Sequence, residues 1–336
     1  MKVGRYRVSV HNHGFFRLDG GAMFGSVPKA LWAREAPPDD QNRILLATRS
    51  LVIECGARKL IVYVGCGDKW NEKNRAIYCI GEEPGGEDRG KRKEEGATGE
   101  GGAGSTQSSI VKSSRTQDRS SNNSPLRPNA SSPQGSYVPV PGVTDVLLTH
   151  LHFDHAGGVS RWQGSATPEE AAQIEPCYPN ARHFVMAANL ENARKPHLRE
   201  RASYLPENVD VLDQVELVLT SDGQEIWPGL TVHRSDGHTH GLQWVALTDG
   251  GVTVAFPADL IPTSKHIPLA FVMGYDMCAE RAMEEKASFL KLAVEGSWIV
   301  VFEHDPILVA ARLKLDEWGR VVLGEPVGPS QRAVTS

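Results

Sequence analysis

The chain has 336 residues, of which 40% are hydrophobic and 23% are charged, as in ordinary globular proteins. The 36 basic and 41 acidic residues give a net charge of −5, which argues against nucleic-acid binding because that requires a basic face. No stretch approaches the roughly 20 apolar residues of a membrane span. The start of the chain lacks an apolar leader and its five cysteines form no CxxC pair, so we expect a cytoplasmic protein with reduced thiols and no membrane partner.

Runs rich in β-branched residues predict strands along most of the chain, and they are bounded by Gly, Asp or Pro. These runs cover residues 44–54, 59–64, 144–149, 182–187, 215–220, 230–234, 242–248, 252–256 and 297–302. Residues 279–294 carry apolar side chains at helical spacing, and a shorter helix is predicted over 306–314, after an Asp-Pro pair. Strands followed by single helices indicate an α/β protein whose sheets are covered by helices.

Residues 81–136 differ from the rest of the sequence. This stretch is first charged and Gly-rich, then rich in Ser, Asn and Pro, and it holds only three large apolar residues. Such a composition buries too little surface to offset the entropy of ordering the chain. We therefore predict a disordered low-complexity insertion in a single domain formed by residues 1–80 and 137–325, with a flexible tail over residues 326–336.

Side chains of the metal-ligand type are concentrated directly after the strand predicted at 144–149. They are His150, His152, Asp154 and His155, four within six residues. His150 and His152 are two residues apart, so in extended chain they point to the same side. Imidazole and carboxylate together favour zinc, iron or manganese over calcium or magnesium. The pattern predicts a metal site.

This stretch resembles the H-x-H-x-D-H signature of the metallo-β-lactamase-fold superfamily of metallo-hydrolases. Three later stretches resemble further motifs of that family in the expected order: GHTHG at 237–241, FPAD at 256–259 and FEHD at 302–305. The resemblance implies a four-layer αββα sandwich. Other segments are similar to the lactonase and glyoxalase II-like branch, among them GDKW at 67–70.

The resemblance also implies a set of seven ligands for two metal ions, with zinc expected and iron or manganese as alternatives. One ion would be held by His150, His152 and His238, the other by Asp154, His155 and His304, and Asp259 would bridge them. The implied activity is hydrolysis of a small ester, lactone, amide or thioester by a hydroxide that bridges the metals. Asp154 would orient that hydroxide and accept its proton.

Two positions depart from the family pattern. Leu242 stands where many members have a second His, and Tyr63 stands where many have an Asp after an early strand. Both missing groups would help to orient ligands. These departures keep open the alternative of a non-catalytic binding member. The resemblance leaves a second alternative, an oxidoreductase of the same fold that uses one iron on sulfur substrates.

Three further residues are candidates for the substrate pocket. Phe24 lies in a Gly-rich stretch that forms either an apolar wall over the metals or a structural turn. His266 follows the bridging Asp in a Pro-containing loop and faces either substrate or solvent. Tyr275 offers a phenol to a substrate oxygen, whereas Asp276 is interpreted as a helix N-terminal residue favoured by the helix dipole.

Overall fold

Two seven-stranded sheets carry most of the secondary structure in the computed structural model, which describes residues 1–81, 137–163 and 173–328. The predicted insertion lies outside the described residues from position 82 on, and the predicted tail does so from position 329 on. Every strand predicted from the sequence is present, with ends that move by at most two residues.

The strands, in chain order, are β1 (Lys2–Val3), β2 (Tyr6–Asp19), β3 (Arg43–Cys55), β4 (Arg58–Val62), β5 (Asp145–Leu148), β6 (Ser160–Trp162), β7 (Ile174–Pro176), β8 (Arg182–Met186), β9 (Glu216–Thr220), β10 (Glu225–Trp227), β11 (Leu230–Ser235), β12 (Leu242–Asp249), β13 (Val252–Phe256), β14 (Ile299–Val301), β15 (Ala310–Leu315) and β16 (Val321–Pro326). The α-helices are α1 (Gly20–Phe24), α2 (Lys29–Trp32), α3 (Glu72–Tyr78), α4 (Phe153–Ala156), α5 (Ala187–Arg194), α6 (Pro206–Val209) and α7 (Ala279–Glu295). Short 3-10 helices cover Gly157–Val159, Arg201–Ser203, Asp210–Gln214, Ala258–Leu260 and Ser264–His266.

The order of strands in the first sheet is β1-β2-β3-β4-β5-β8-β9, and the pairs from β4 to β9 are parallel. The second sheet runs from β10 to β16 in chain order and is antiparallel except where β13 pairs with β14. Strands β6 and β7 form a separate hairpin.

Apolar side chains fill the space between the sheets and cover both outer faces. The central cluster joins Leu51 and Leu147 of the first sheet to Val245 and Phe256 of the second. A second cluster packs the outer face of the first sheet against α4, α5 and α6. A third packs α7, with the buried ring of Phe289, against the second sheet. The layers are therefore helix, sheet, sheet and helix, and the predicted αββα sandwich is confirmed.

The helix predicted over residues 306–314 is wrong, because residues 310–315 form strand β15. Asp305 Oδ1 accepts hydrogen bonds from the backbone N–H groups of Ile307, at 2.9 Å, and Leu308, at 2.7 Å. This side chain closes a turn in place of a helix start. Ala311 and Leu313 then face α7, which is the period of two that a strand requires.

The sheets place ligand-type residues together because β5, β11, β13 and β14 end close to one another. Close approaches fix the loops that follow. A Cβ on Gly157 would lie 2.0 Å from the carbonyl oxygen of Cys66, and one on Gly237 would lie 2.3 Å from the backbone nitrogen of Ala282 in α7. Only glycine allows these contacts. Among the described residues, no helix is both long and apolar enough to cross a membrane.

Candidate metal centre

Three histidine nitrogens converge at the first half of the centre. His150 Nε2 lies 3.1 Å from His152 Nδ1, and His238 Nε2 lies 3.2 Å from the same Nδ1. All three side chains are buried. Three imidazole nitrogens within 4.8 Å of one another match the ligand number and type of a catalytic zinc site.

The second half of the centre joins imidazole to carboxylate. His155 Nε2 lies 3.3 Å from His304 Nε2, and Asp154 Oδ2 lies 3.5 Å and 3.6 Å from these two atoms. Asp259 reaches both halves, with its Oδ2 3.2 Å from His155 Nε2 and 3.2 Å from His238 Nε2. A carboxylate in this position could bridge two ions.

In three of the histidines, the ring nitrogen that points away from the centre faces an oxygen atom. His238 Nδ1 is 2.9 Å from Asp276 Oδ1, and His304 Nδ1 is 2.7 Å from the carbonyl oxygen of Ala47. His152 Nε2 points toward Glu200 Oε2 at 3.5 Å. Such outer partners hold the imidazole in the tautomer whose free lone pair can bind a metal. The residues present therefore fit a two-metal centre.

The carboxylates of the centre are crowded and buried. Burial raises the pKa of Asp154 to about 8, and the nearby charge of Asp259 adds to this shift. Burial, together with the carboxylates of Asp259 and Asp154, raises the pKa of Glu303 well above its usual range. Asp259 Oδ1 has no hydrogen-bond partner among the described residues. Cations at this position would remove the repulsion among these groups.

Backbone strain is also concentrated here. Ala258, directly before Asp259, has φ +53°, and Tyr63 has φ +69°, conformations that are uncommon outside glycine. The Tyr63 ring packs edge-on against His155, with ring centres 5.0 Å apart. This residue therefore lies under the ligands, at the position where the family pattern has Asp. Leu242 is part of the core between the sheets.

A cavity of about 320 Å³ opens over the centre, a volume that suits a small molecule. The cluster residues His152, Asp154, His238, Asp259 and His304 line it. Its other lining residues include Met23, Phe153, Arg199, Met273 and Tyr275.

The three predicted pocket residues occupy different places. Tyr275 lines the cavity. Phe24 and His266 do not. They are buried behind Met23 with stacked rings 4.7 Å apart, and His266 Nε2 lies 2.9 Å from the Met23 carbonyl oxygen. Asp276 precedes α7 by three residues and contacts His238, so its interpretation as a helix-terminal residue is wrong.

Sequence reasoning missed Glu200 altogether. Its carboxylate is 4% exposed and accepts hydrogen bonds from Thr239 Oγ1 at 2.6 Å and Asn192 Nδ2 at 2.9 Å. The residue lies in a charged stretch without a motif, so only the tertiary contact with His152 reveals it. Glu303 lies within the FEHD motif, but no role was predicted for it from the sequence. A charged residue between a buried strand and a metal ligand is rarely buried without a partner, so its position alone indicates a functional contact.

The comparisons with known proteins point to one family. A family model described as the metallo-beta-lactamase superfamily matches residues 125–304. A probable metal-dependent hydrolase from Staphylococcus aureus has a similar structure, with 24% identity, a TM-score of 0.71, and coverage of 98% of this chain and 100% of that chain. AidC, a dizinc quorum-quenching lactonase in complex with a product, has 15% identity, a TM-score of 0.63, and coverage of 98% and 97%. No curated protein matches in sequence.

At sequence identities of 24% and 15%, the solved structures establish only a similar fold. The family model matches more than half of the chain and therefore establishes the family. The sandwich and the histidine cluster at the ends of its strands define a metallo-β-lactamase type of protein. The chain belongs to the metallo-beta-lactamase superfamily. The family predicted from the sequence motifs is thereby confirmed.

Proposed function

We propose that the protein is a metal-dependent hydrolase with two zinc ions, acting on a small ester, lactone, amide or thioester. The observation that carries this proposal is the convergence of two groups of buried ligand-type side chains beneath an open cavity. The fold shared with a dizinc lactonase supports it. The proposed ligands are the seven residues implied by the sequence motifs: His150, His152, Asp154, His155, His238, Asp259 and His304.

The bound cations would activate a water molecule and polarise the bond to be cleaved. The residues of the chain do the rest. Asp154 lies at the cavity floor, where it can orient the attacking water and accept its proton. Tyr275 lines the wall, and burial raises the pKa of its hydroxyl, which therefore stays protonated near neutral pH and can donate a hydrogen bond to a substrate oxygen.

The cavity walls favour a substrate with one apolar side. Met23, Phe153 and Met273 supply apolar surface, and the volume of about 320 Å³ suits a small ligand. Arg199 and Glu200 supply the charged part of the wall. A compact acyl group would pack on the methionine side while its carbonyl faces the metals.

Elemental analysis combined with one substitution tests the proposal. The purified protein should contain about two zinc ions per chain and hydrolyse members of an ester, lactone and thioester panel. His152→Ala should lose zinc and reduce kcat/KM by at least about 10²-fold, since a catalytic zinc depends on its three protein ligands.

His240→Ala is the matched control, because this neighbouring histidine is exposed and lies outside the cluster. It should keep the metal content and the turnover. Near-wild-type metal and turnover in the His152 variant would contradict the ligand assignment. A single iron per chain would favour the sulfur oxidoreductase, and no metal after zinc loading would favour a binding protein.

A further inference from the structure

Glu303 is a buried carboxylate without a hydrogen-bond partner. It follows β14, is 1% exposed, and neither of its carboxylate oxygens has a partner among the described residues. Transfer of an unpaired carboxylate from water into a protein interior costs several kcal/mol. Such a carboxyl group either takes up a proton, as its raised pKa favours without metal, or lies beside a cation.

Glu303 faces two histidines and another carboxylate. Within the described part of the chain, its ion-pair contacts are to two histidines: Oε1 lies 3.8 Å from His155 Nδ1 and 3.8 Å from His304 Nε2. A third neighbour is the carboxylate of Asp259, whose negative charge raises the pKa of Glu303 and so favours a shared proton or a shared cation. A cation shared by these groups would remove the repulsion between the two carboxylates.

The donor atoms around that place are arranged as a ligand set. One atom each from His155, Asp259, Glu303 and His304 lies within 4.8 Å of every other. The first half of the centre is a set of three histidines, with Asp259 as the shared carboxylate. The two halves therefore differ in the number of carboxylates that face them.

We propose that Glu303 is an additional carboxylate of the second metal position, beside His155, His304, Asp154 and Asp259. Carboxylate oxygens suit manganese and imidazoles suit zinc, so Glu303 makes the second position more tolerant of Mn²⁺ than the first. This inference rests on the two-metal centre of the proposed function, and it adds to that centre a carboxylate to which the sequence motifs assigned no role.

The test is metal binding by the full-length protein, measured without any substrate. The metal-free protein is titrated with Zn²⁺ and separately with Mn²⁺ in competition with a chelator of known affinity. Glu303→Gln keeps the shape of the side chain and removes its charge. We expect it to weaken the second equivalent roughly 10-fold or more, as for other residues that support a metal site, to change the first equivalent far less, and to lower Mn²⁺ affinity more than Zn²⁺ affinity.

The control is Glu207→Gln, the same substitution at a glutamate on α6 that also has a buried, unpartnered oxygen but lies outside the cluster. It should leave both equivalents unchanged. Thermal melts of the metal-free proteins separate ligation from packing. Metal-free Glu303→Gln should melt close to the wild-type temperature, because the amide has nearly the shape of the carboxyl group and fills the same space.

Wild-type affinity for both equivalents in Glu303→Gln would overturn the role of Glu303 and leave the two-metal centre standing. A marked fall in the melting temperature of its metal-free form would overturn it too, by assigning the carboxylate to packing. A wild-type protein that binds neither ion would instead refute the proposed function itself.

Discussion

At the scale of single residues, the outer partners of the histidines set how firmly a metal would be held. Glu200 is the partner of His152, and Thr239 and Asn192 fix its two oxygens. Glu200→Gln places an amide on His152 and loosens the orientation of that imidazole. We expect the affinity of the first zinc equivalent to fall roughly 10- to 100-fold, measured by chelator competition.

The control for this prediction is Glu191→Gln, at an exposed position of α5, which should bind zinc like the wild type. Equal zinc affinity in the two variants would show that Glu200 does not orient His152. The prediction separates the first half of the centre from the second, since Glu200 contacts His152 and no histidine of the other half among the described residues.

Residue types and spacing could predict the ligands but not their outer partners. His150, His152 and His155 lie in one short motif, and their meeting with His238 and His304 follows from the order of motifs that the family resemblance supplied. Glu200 and Asp276 carry no motif, because each acts through a contact between loops far apart in sequence. Tyr63 was recognised as a departure, yet its ring under His155 could be placed only by the fold.

At the scale of elements, helix α7 acts as a support for the cavity wall. The ammonium group of Lys286 is buried and donates to the carbonyl oxygens of His266, Pro268 and Phe271, at 3.1, 3.1 and 2.8 Å. These carbonyls hold the loop that continues to Tyr275 in the wall. The helix therefore links the outer layer of the sandwich to the substrate cavity.

Lys286→Met should disturb both stability and binding. The variant leaves buried carbonyls unsatisfied, which should lower the free energy of unfolding by about 3 kcal/mol, as measured by urea denaturation. The loosened wall should raise KM more than it lowers kcat. Lys291→Met, at an exposed position of the same helix, should change neither. A Lys286 variant with wild-type stability and KM would contradict the supporting role of α7.

Helices and strands whose apolar residues recur at a regular spacing could be predicted from the sequence. Elements whose residues are chosen by contacts with distant parts of the chain could not. The stripe of α7 and the runs of β5 and β13 are readable because one period covers the whole element. Strand β2 was missed, since its pairing with β3 is interrupted between Asn12 and Phe15 and its sequence there is polar. Strand β15 was taken for a helix because six residues are too few to distinguish the two periods.

At the scale of the whole molecule, the metal centre joins the two sheets. His150 and His152 follow β5 of the first sheet, whereas Asp259 and His304 follow β13 and β14 of the second. Metal ions bound by ligands from both sheets would link the two sheets, in addition to the apolar core that packs between them. Unfolding would separate these ligands, so metal binding must favour the folded state.

Removal of the metal should therefore lower the stability of the entire sandwich. At a free metal concentration 100 times Kd, one binding site contributes about 2.7 kcal/mol, which corresponds to roughly 4–5 °C in Tm for a domain of this size. The measurement compares melts of the chelated and the zinc-loaded protein. His152→Ala should show a smaller zinc-dependent shift, because its first position is incomplete. A wild-type protein whose Tm does not respond to zinc would mean that the histidine cluster does not hold the sheets together through a metal.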